Sequence, residues 1–137
     1  MDDDDVPARL ALVVGRLNRR LRGAGGGLSH GLLSALATVN KEGPMRLAEL
    51  AQIEQVSPPS TTRLVAELEA QGLVSRQSDP IDGRAVLIRA TAAGADTVVR
   101  ARSARGAMVQ ELFAQLSADD VAAIEAALPS LEKTLEL

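Results

Sequence analysis

Arg63 and Arg84 are the two residues whose surroundings give a cation chemistry to do. Arg63 closes the run Ser57-Pro58-Pro59-Ser60-Thr61-Thr62-Arg63. No acidic side chain occurs from Val56 to Ala66, although the whole chain carries a net charge of −3. Ser57 reads as a helix N-cap, with Pro58 and Pro59 in a first turn where a missing N–H costs nothing. Leu64, Val65 and Leu68 form a stripe that faces a core, with Thr61 on its edge. Pro58, Pro59, Ser60, Thr62 and Arg63 are left facing outward. These residue types suit the major groove of a DNA duplex. An arginine bonds guanine bidentately, hydroxyls reach phosphates or base edges, and proline contacts thymine methyls. The helix N-terminus itself favours phosphate. A plainer reading makes Ser57 only a cap and Arg63 a solvated residue; the local absence of acid in an acidic chain favours the groove.

Arg84 ends the connection Ser78-Asp79-Pro80-Ile81-Asp82-Gly83-Arg84, where the Asp-Pro and Asp-Gly pairs supply turn chemistry. From such a turn its side chain reaches a minor groove. Asp79 and Asp82 oppose phosphate contact unless they are engaged. Their expected use, with Gly83 in the same turn, is to support Arg84 and orient it by charge-assisted hydrogen bonds. The alternative is an ordinary hairpin with a local Asp–Arg pair. Arg76 and Arg89, on the flanking strands, are weaker phosphate candidates. His30, at a helix start, is a weak candidate for sensing pH or contacting an anionic effector. An exposed or capping imidazole is the plainer reading there.

The elements that must hold these residues follow from periodicity and punctuation. Leu10, Val13, Val14, Leu17 and Leu21 recur at helical spacing over about 7–22, and the glycine-rich stretch 23–27 stops that helix. Ser29 caps a second helix carrying Leu32, Leu33, Leu36 and Val39, which Gly43-Pro44 ends. A short third helix, 47–53, places Leu47, Leu50, Ala51 and Ile53 on one side. The fourth runs from the Ser57 cap to Gly72. Two short strands follow, 73–77 and 85–90. Thr91 caps a long fifth helix to about Leu116, whose Arg100, Arg102, Ser103 and Arg105 are expected to stay solvated. Ser117-Ala118-Asp119-Asp120 opens a sixth like a capping box, and Pro129 should bend or interrupt it. Four helices, two strands and two helices make a mainly α chain with a two-stranded β wing, a winged helix-turn-helix of six helices. Val121, Ile124, Leu128, Leu131 and Leu135 form a stripe that, with that of the first helix, exceeds what a small core covers. An intertwined homodimer is the economical solution.

Composition removes several function classes. The 137 residues contain no Cys, which excludes disulfides, thiolate metal sites and thiol redox sensing. One His is too few for a histidine-built metal site, and nothing near His30 supplies a nucleophile and an orienting group, so no enzyme and no cofactor are expected. The glycine run is no phosphate loop, since no strand precedes it and no Gly-Lys-Ser/Thr follows. Phe113 is the only aromatic, so base-stacking platforms are excluded. No apolar run approaches the roughly 18 residues of a membrane helix. Asp2 to Asp5 is the reverse of a basic leader, and a cytoplasmic protein with no membrane contact is expected.

The segments Leu47-Ala48-Glu49-Leu50-Ala51, Ser57 to Val65 and Leu68-Glu69-Ala70-Gln71-Gly72-Leu73-Val74 resemble the MarR family of transcriptional regulators. Asp79-Pro80-Ile81-Asp82-Gly83-Arg84 is similar to that family's Asp-x-x-Asp-x-Arg wing, and Thr91-Ala92-Ala93-Gly94 to its Thr-x-x-Gly helix start. The resemblance covers nearly the whole chain. It implies a homodimeric winged-helix repressor, less often an activator, on a pseudo-palindromic double-stranded operator, with positions 57–63 in the major groove and Arg84 in the minor groove. It also implies a small-molecule effector in many members. Here Ala90 replaces the usual Leu before Thr91, cysteine sensing is absent, and only Phe113 is available to line an aromatic pocket. The expected organisation is a disordered acidic tail at 1–6 and one domain at 7–137. Its DNA-binding lobe spans about 31–91, and its dimerisation helices about 7–30 and 92–137. The rival reading is a winged-helix module that binds protein and not specific DNA.

Overall fold

The computed structural model describes residues 5–25 and 27–135. The elements are α1 (Val6–Leu21), a 3-10 turn (Arg22–Gly25), α2 (His30–Glu42), α3 (Leu47–Glu54), α4 (Pro58–Ala70), β1 (Val74–Ser78), β2 (Val86–Ala90), α5 (Ala92–Phe113) and α6 (Ala118–Leu135). Residues 1–4 of the expected acidic tail lie outside the described residues. Asp5 is part of α1's start, because its carboxylate accepts the N–H of Ala8 as an N-cap. The glycine-rich stretch is not all loop, since residues 22–25 form the 3-10 turn.

Two compact units are present, Met1–Arg105 and Gly106–Leu137. In the first, the apolar spacing of α2 to α5, but not that of α1, converges on one core. Leu36 and Val39 of α2, Leu50 of α3, Val65 and Leu68 of α4, Ile88 of β2 and Val98 of α5 are all fully or almost fully buried. Leu47 joins them in part, but Ile53 is half exposed, because it falls off the α3 stripe made by Leu47, Leu50 and Ala51. In the second unit Leu128 and Leu131 stay largely exposed on α6, as Leu10, Val13 and Leu17 do on α1 of the first. Helix α6 runs on through Pro129 without interruption, so the lost N–H and the ring clash are absorbed within it.

The wing is an antiparallel pair in the register Val74↔Ala90 to Ser78↔Val86. Its inner edge is held by Met45, which exchanges backbone hydrogen bonds with Ile88 of 3.0 and 2.7 Å. The root of the wing is fixed by three local devices. Gly72 takes a left-handed φ of 73° after α4, a conformation that suits glycine. Thr91 Oγ1 donates to the Gly72 carbonyl (2.7 Å) and accepts the Gly94 N–H (3.1 Å), so one hydroxyl caps α5 and ties it to the end of α4. Gly94 is buried where α5 passes the backbone of Leu73, and a Cβ there would collide with the Leu73 carbonyl oxygen. The Thr-x-x-Gly spacing thus has a packing cause.

Candidate nucleic-acid interface

Helices α3 and α4 are joined by a three-residue turn. Gln55 adopts a left-handed conformation (φ 54°, ψ 43°), and the amides of Gln55 and Val56 return to the end of α3. Ser57 then caps α4, accepting the Ser60 N–H at 3.3 Å. The buried stripe is Thr61, Val65 and Leu68, and the Thr61 hydroxyl is satisfied by the Ser57 carbonyl at 3.0 Å. Pro58, Pro59, Thr62 and Arg63 are exposed and Ser60 is half-buried, on turns with no acid among them. Ser57 Oγ donates to Ser60 Oγ (2.9 Å), Arg63 Nη2 donates to the same Ser60 Oγ (3.2 Å), and Thr62 Oγ1 donates to the Pro58 carbonyl (3.0 Å). These exposed bonds to hydroxyl and carbonyl oxygens, none of them to an acid, pre-set the side chains at small cost to exchange for base or phosphate contacts.

One expectation is corrected here. The first turn of α4, residues 58–61, offers no free backbone N–H to a phosphate. Pro58 and Pro59 have none, Ser60 N–H goes to Ser57 Oγ, and Thr61 N–H goes to the Ser57 carbonyl at 2.9 Å. The Ser57 N–H ahead of the helix, the helix dipole and the side chains remain to attract an anion.

The connection 79–85 presents Arg84 with its side chain 99% exposed. Asp82 supports it weakly, as the Arg84 Nε–Asp82 Oδ1 separation is 4.0 Å, while the same oxygen accepts the Arg84 backbone N–H at 3.1 Å. Asp79 does not orient Arg84. Its carboxylate is occupied by the Ile81 N–H (2.9 Å) and by Arg46 Nη2 (2.9 Å), 33 residues earlier. These two bonds hold the Asp79 carboxyl below the usual carboxylate range, the Ile81 amide contributing more, and the Asp79 hydrogen bond raises the Arg46 guanidinium. Gly83 is not in the left-handed region and a Cβ there would meet nothing within 4 Å, so the turn does not require glycine. Arg76 is engaged, its Nε 2.7 Å from Glu69 Oε2, which takes it from the free phosphate candidates. Arg89 is exposed on β2 opposite Ser75.

Arg46 went unread because it occupies the N-cap position of α3, where a Ser, Thr or Asp signals a helix start. It makes no cap bond and spends its side chain on the wing. Glu54, at the other end of α3, was also missed. It accepts the hydroxyls of Ser34 (2.6 Å) and Thr38, bracing α3 against α2.

A profile of the MarR family matches residues 28–86. An uncharacterized HTH-type transcriptional regulator of Mycobacterium bovis is 42% identical over 117 residues, covering 84% of this chain and 82% of that relative. The chain belongs to the MarR family. A mutant of MarR from Escherichia coli superimposes with a TM-score of 0.83 over 96% of this chain and 98% of that one, at 24% identity. A mutant of S. aureus MepR bound to an oligodeoxyribonucleotide gives 0.70 over 94% and 96%, at 20% identity. The MarR-type winged helix is therefore the fold of this chain, and the family's helix-turn-helix and wing are the elements just described.

His30 lies at the first position of α2 and is exposed. With Leu33, Ser34 and Ala37 it faces Val98, Ala101, Arg102 and Arg105 of α5 across a cavity of about 190 Å³. Arg102 lines this cavity while staying exposed, as expected of it, whereas Arg105 is half-buried, contrary to the solvated role expected, and its Nε is buried without a hydrogen-bond partner. Among the described residues no cluster of three or more His, Cys, Asp or Glu is placed to hold a metal ion, and no helix is long and apolar enough to cross a membrane.

Proposed function

We propose that this MarR-family regulator is a cytoplasmic homodimeric repressor that reads a pseudo-palindromic site in double-stranded DNA. The observation that carries this reading is the exposed, acid-free start of α4 in a net acidic chain, with Arg63 on the outward face and Thr61, Val65 and Leu68 turned inward. Ser57, Pro58, Pro59, Ser60, Thr62 and Arg63 meet the major groove. Arg84 enters the flanking minor groove, and Arg89 takes a phosphate. The oligodeoxyribonucleotide held by the related MepR fold supports the same use of this one. The exposed Leu and Val faces of α1 and α6 support the second copy, which puts two α4 helices about 34–36 Å apart in successive grooves. A small-molecule effector with an anionic group fits the cavity at His30, Arg102 and Arg105, and shifts operator affinity by preferring one dimer spacing.

Selection of bound duplexes from a random pool, followed by anisotropy titration of the enriched sequence at several salt concentrations, tests the reading. A palindromic consensus with half-sites one turn apart and a steep salt slope is expected. Arg84→Ala should weaken that binding about tenfold or more and lower the salt slope by about one, with the oligomeric state unchanged. No enrichment and flat, weak binding would overturn the DNA reading in favour of a protein-binding winged helix.

A further inference from the structure

The geometry points to Ile81 as a second minor-groove reader beside Arg84, an apolar contact that disfavours G·C pairs under the wing. The inference rests on the reading of Arg84 as a minor-groove residue. Ile81, in the wing connection, is 96% exposed, the highest value among the large apolar side chains of the described residues. Single exposed aliphatic residues are ordinary and by themselves say nothing. Ile81 differs in how its backbone is held. Its N–H is bonded to Asp79 Oδ1, Asp79 N–H to the Ala85 carbonyl at 3.0 Å, and Ala85 N–H to the Asp82 carbonyl at 3.0 Å. Pro80 fixes φ immediately before it. The turn therefore presents Ile81 and Arg84 together on a backbone that is already ordered, and contact with DNA requires little further ordering.

Charge is also arranged for such contact. Of the two acids in this tip, Asp79 is nearly buried and paired with Arg46, so its repulsion of phosphate is offset, and the half-exposed Asp82 has its Oδ1 turned to the Arg84 backbone N–H (3.1 Å) and 4.0 Å from Arg84 Nε. A branched aliphatic side chain has no hydrogen bond to offer a base. It packs against sugar walls and the groove floor, and that floor differs between base pairs mainly in the guanine N2 amino group. An A·T floor admits close apolar approach, whereas the amino group projects into it and loses its water under an aliphatic cover.

The test is an anisotropy titration of the full-length protein on three versions of the selected operator, with A·T, G·C or inosine·C under the wing. Inosine keeps the major-groove face of guanine and lacks the N2 amino group. The wild type should bind the A·T and inosine versions alike and the G·C version several-fold more weakly. Ile81→Ala should bind the A·T version about five- to tenfold more weakly, from the lost apolar contact, with the salt slope unchanged and most of the G·C discrimination gone. Ile81→Val should keep most of both. Ile81→Ala binding all three as the wild type does, or weakening all three equally, overturns the proposal. If Arg84→Ala weakens binding in either case, the wing reading stands without Ile81; if Arg84→Ala is also without effect, the wing reading itself fails.

Discussion

Replacing Gly94 by alanine should destabilise the protein, although the same exchange inside an exposed helix usually stabilises it. Alanine is favoured over glycine by about 0.8–1 kcal/mol in a helix interior. At Gly94 an added Cβ would sit inside contact distance of the Leu73 carbonyl oxygen, 3.0 Å from the Leu73 carbonyl carbon and 3.1 Å from Leu36 Cδ1. Leu36 can adjust, but the Leu73 backbone cannot swing away. Its N–H is bonded to the Leu68 carbonyl at 2.9 Å and its carbonyl accepts the Thr91 N–H at 3.0 Å. Overpacking costs about 1–3 kcal/mol, and against a pinned backbone the upper part of that range, about 2–3 kcal/mol, applies, leaving a net loss of about 1–2 kcal/mol after the propensity gain. For a chain of this size that lowers Tm by roughly 3–10 °C. Gly106 lies on the same helix with nothing within 4 Å of an added Cβ, so Gly106→Ala should raise Tm by about 2–4 °C. Thermal unfolding followed by circular dichroism, at one fixed protomer concentration, reads both variants. Gly94→Ala matching or exceeding the wild type in Tm would refute the close-approach account of Thr-x-x-Gly.

Three other outcomes are expected. Arg63→Ala should relax base preference by about 1–3 kcal/mol at one position per half-site, read by repeating the selection with the variant; uniform weakening across sequences would make Arg63 a phosphate contact. The Asp79 carboxyl is lowered in the folded protein, so its stabilising bonds are fully present above the ordinary carboxylate range and are lost as pH falls through its lowered native value. The difference in urea midpoint between wild type and Asp79→Asn should accordingly be constant from neutral pH down to about pH 5 and shrink below about pH 4. Glu54→Ala should cost about 1–3 kcal/mol in denaturant unfolding, because the part-buried Ser34 and Thr38 hydroxyls lose their acceptor; an unchanged midpoint would mean that water replaces it fully.

What the sequence made legible were the features set by rules acting over a few residues. Val65 and Leu68 of the α4 stripe, the caps at Ser29, Ser57 and Thr91, and the reciprocal bonds between Ser117 and Asp120 all appear where spacing puts them, whereas Thr61 is buried rather than at the stripe's edge and Leu64 is only partly covered. The strands start one residue later than expected, a small shift at an element's edge. Relations across the chain were not legible. Nothing near Asp79 in sequence announces Arg46, and nothing near Arg102 or Arg105 announces the α2 residues that close a cavity against them. The satisfied amides of α4 were missed for a different reason. Proline and the cap were each recognised, but their joint effect on the donors left over appears only when every N–H is traced to its acceptor.

The Arg46–Asp79 bond joins the start of α3 to the wing, and the exchange between Met45 and Ile88 joins the same stretch of chain to β2. Helix-turn-helix and wing are thus fastened at adjacent residues, which couples the two grips to each other. In the proposed dimer, a displacement of the coupled pair withdraws helix and wing at once, so disengagement has no half-released stage in which one grip outlasts the other. On that proposal, release from DNA is expected to be all-or-none in each subunit.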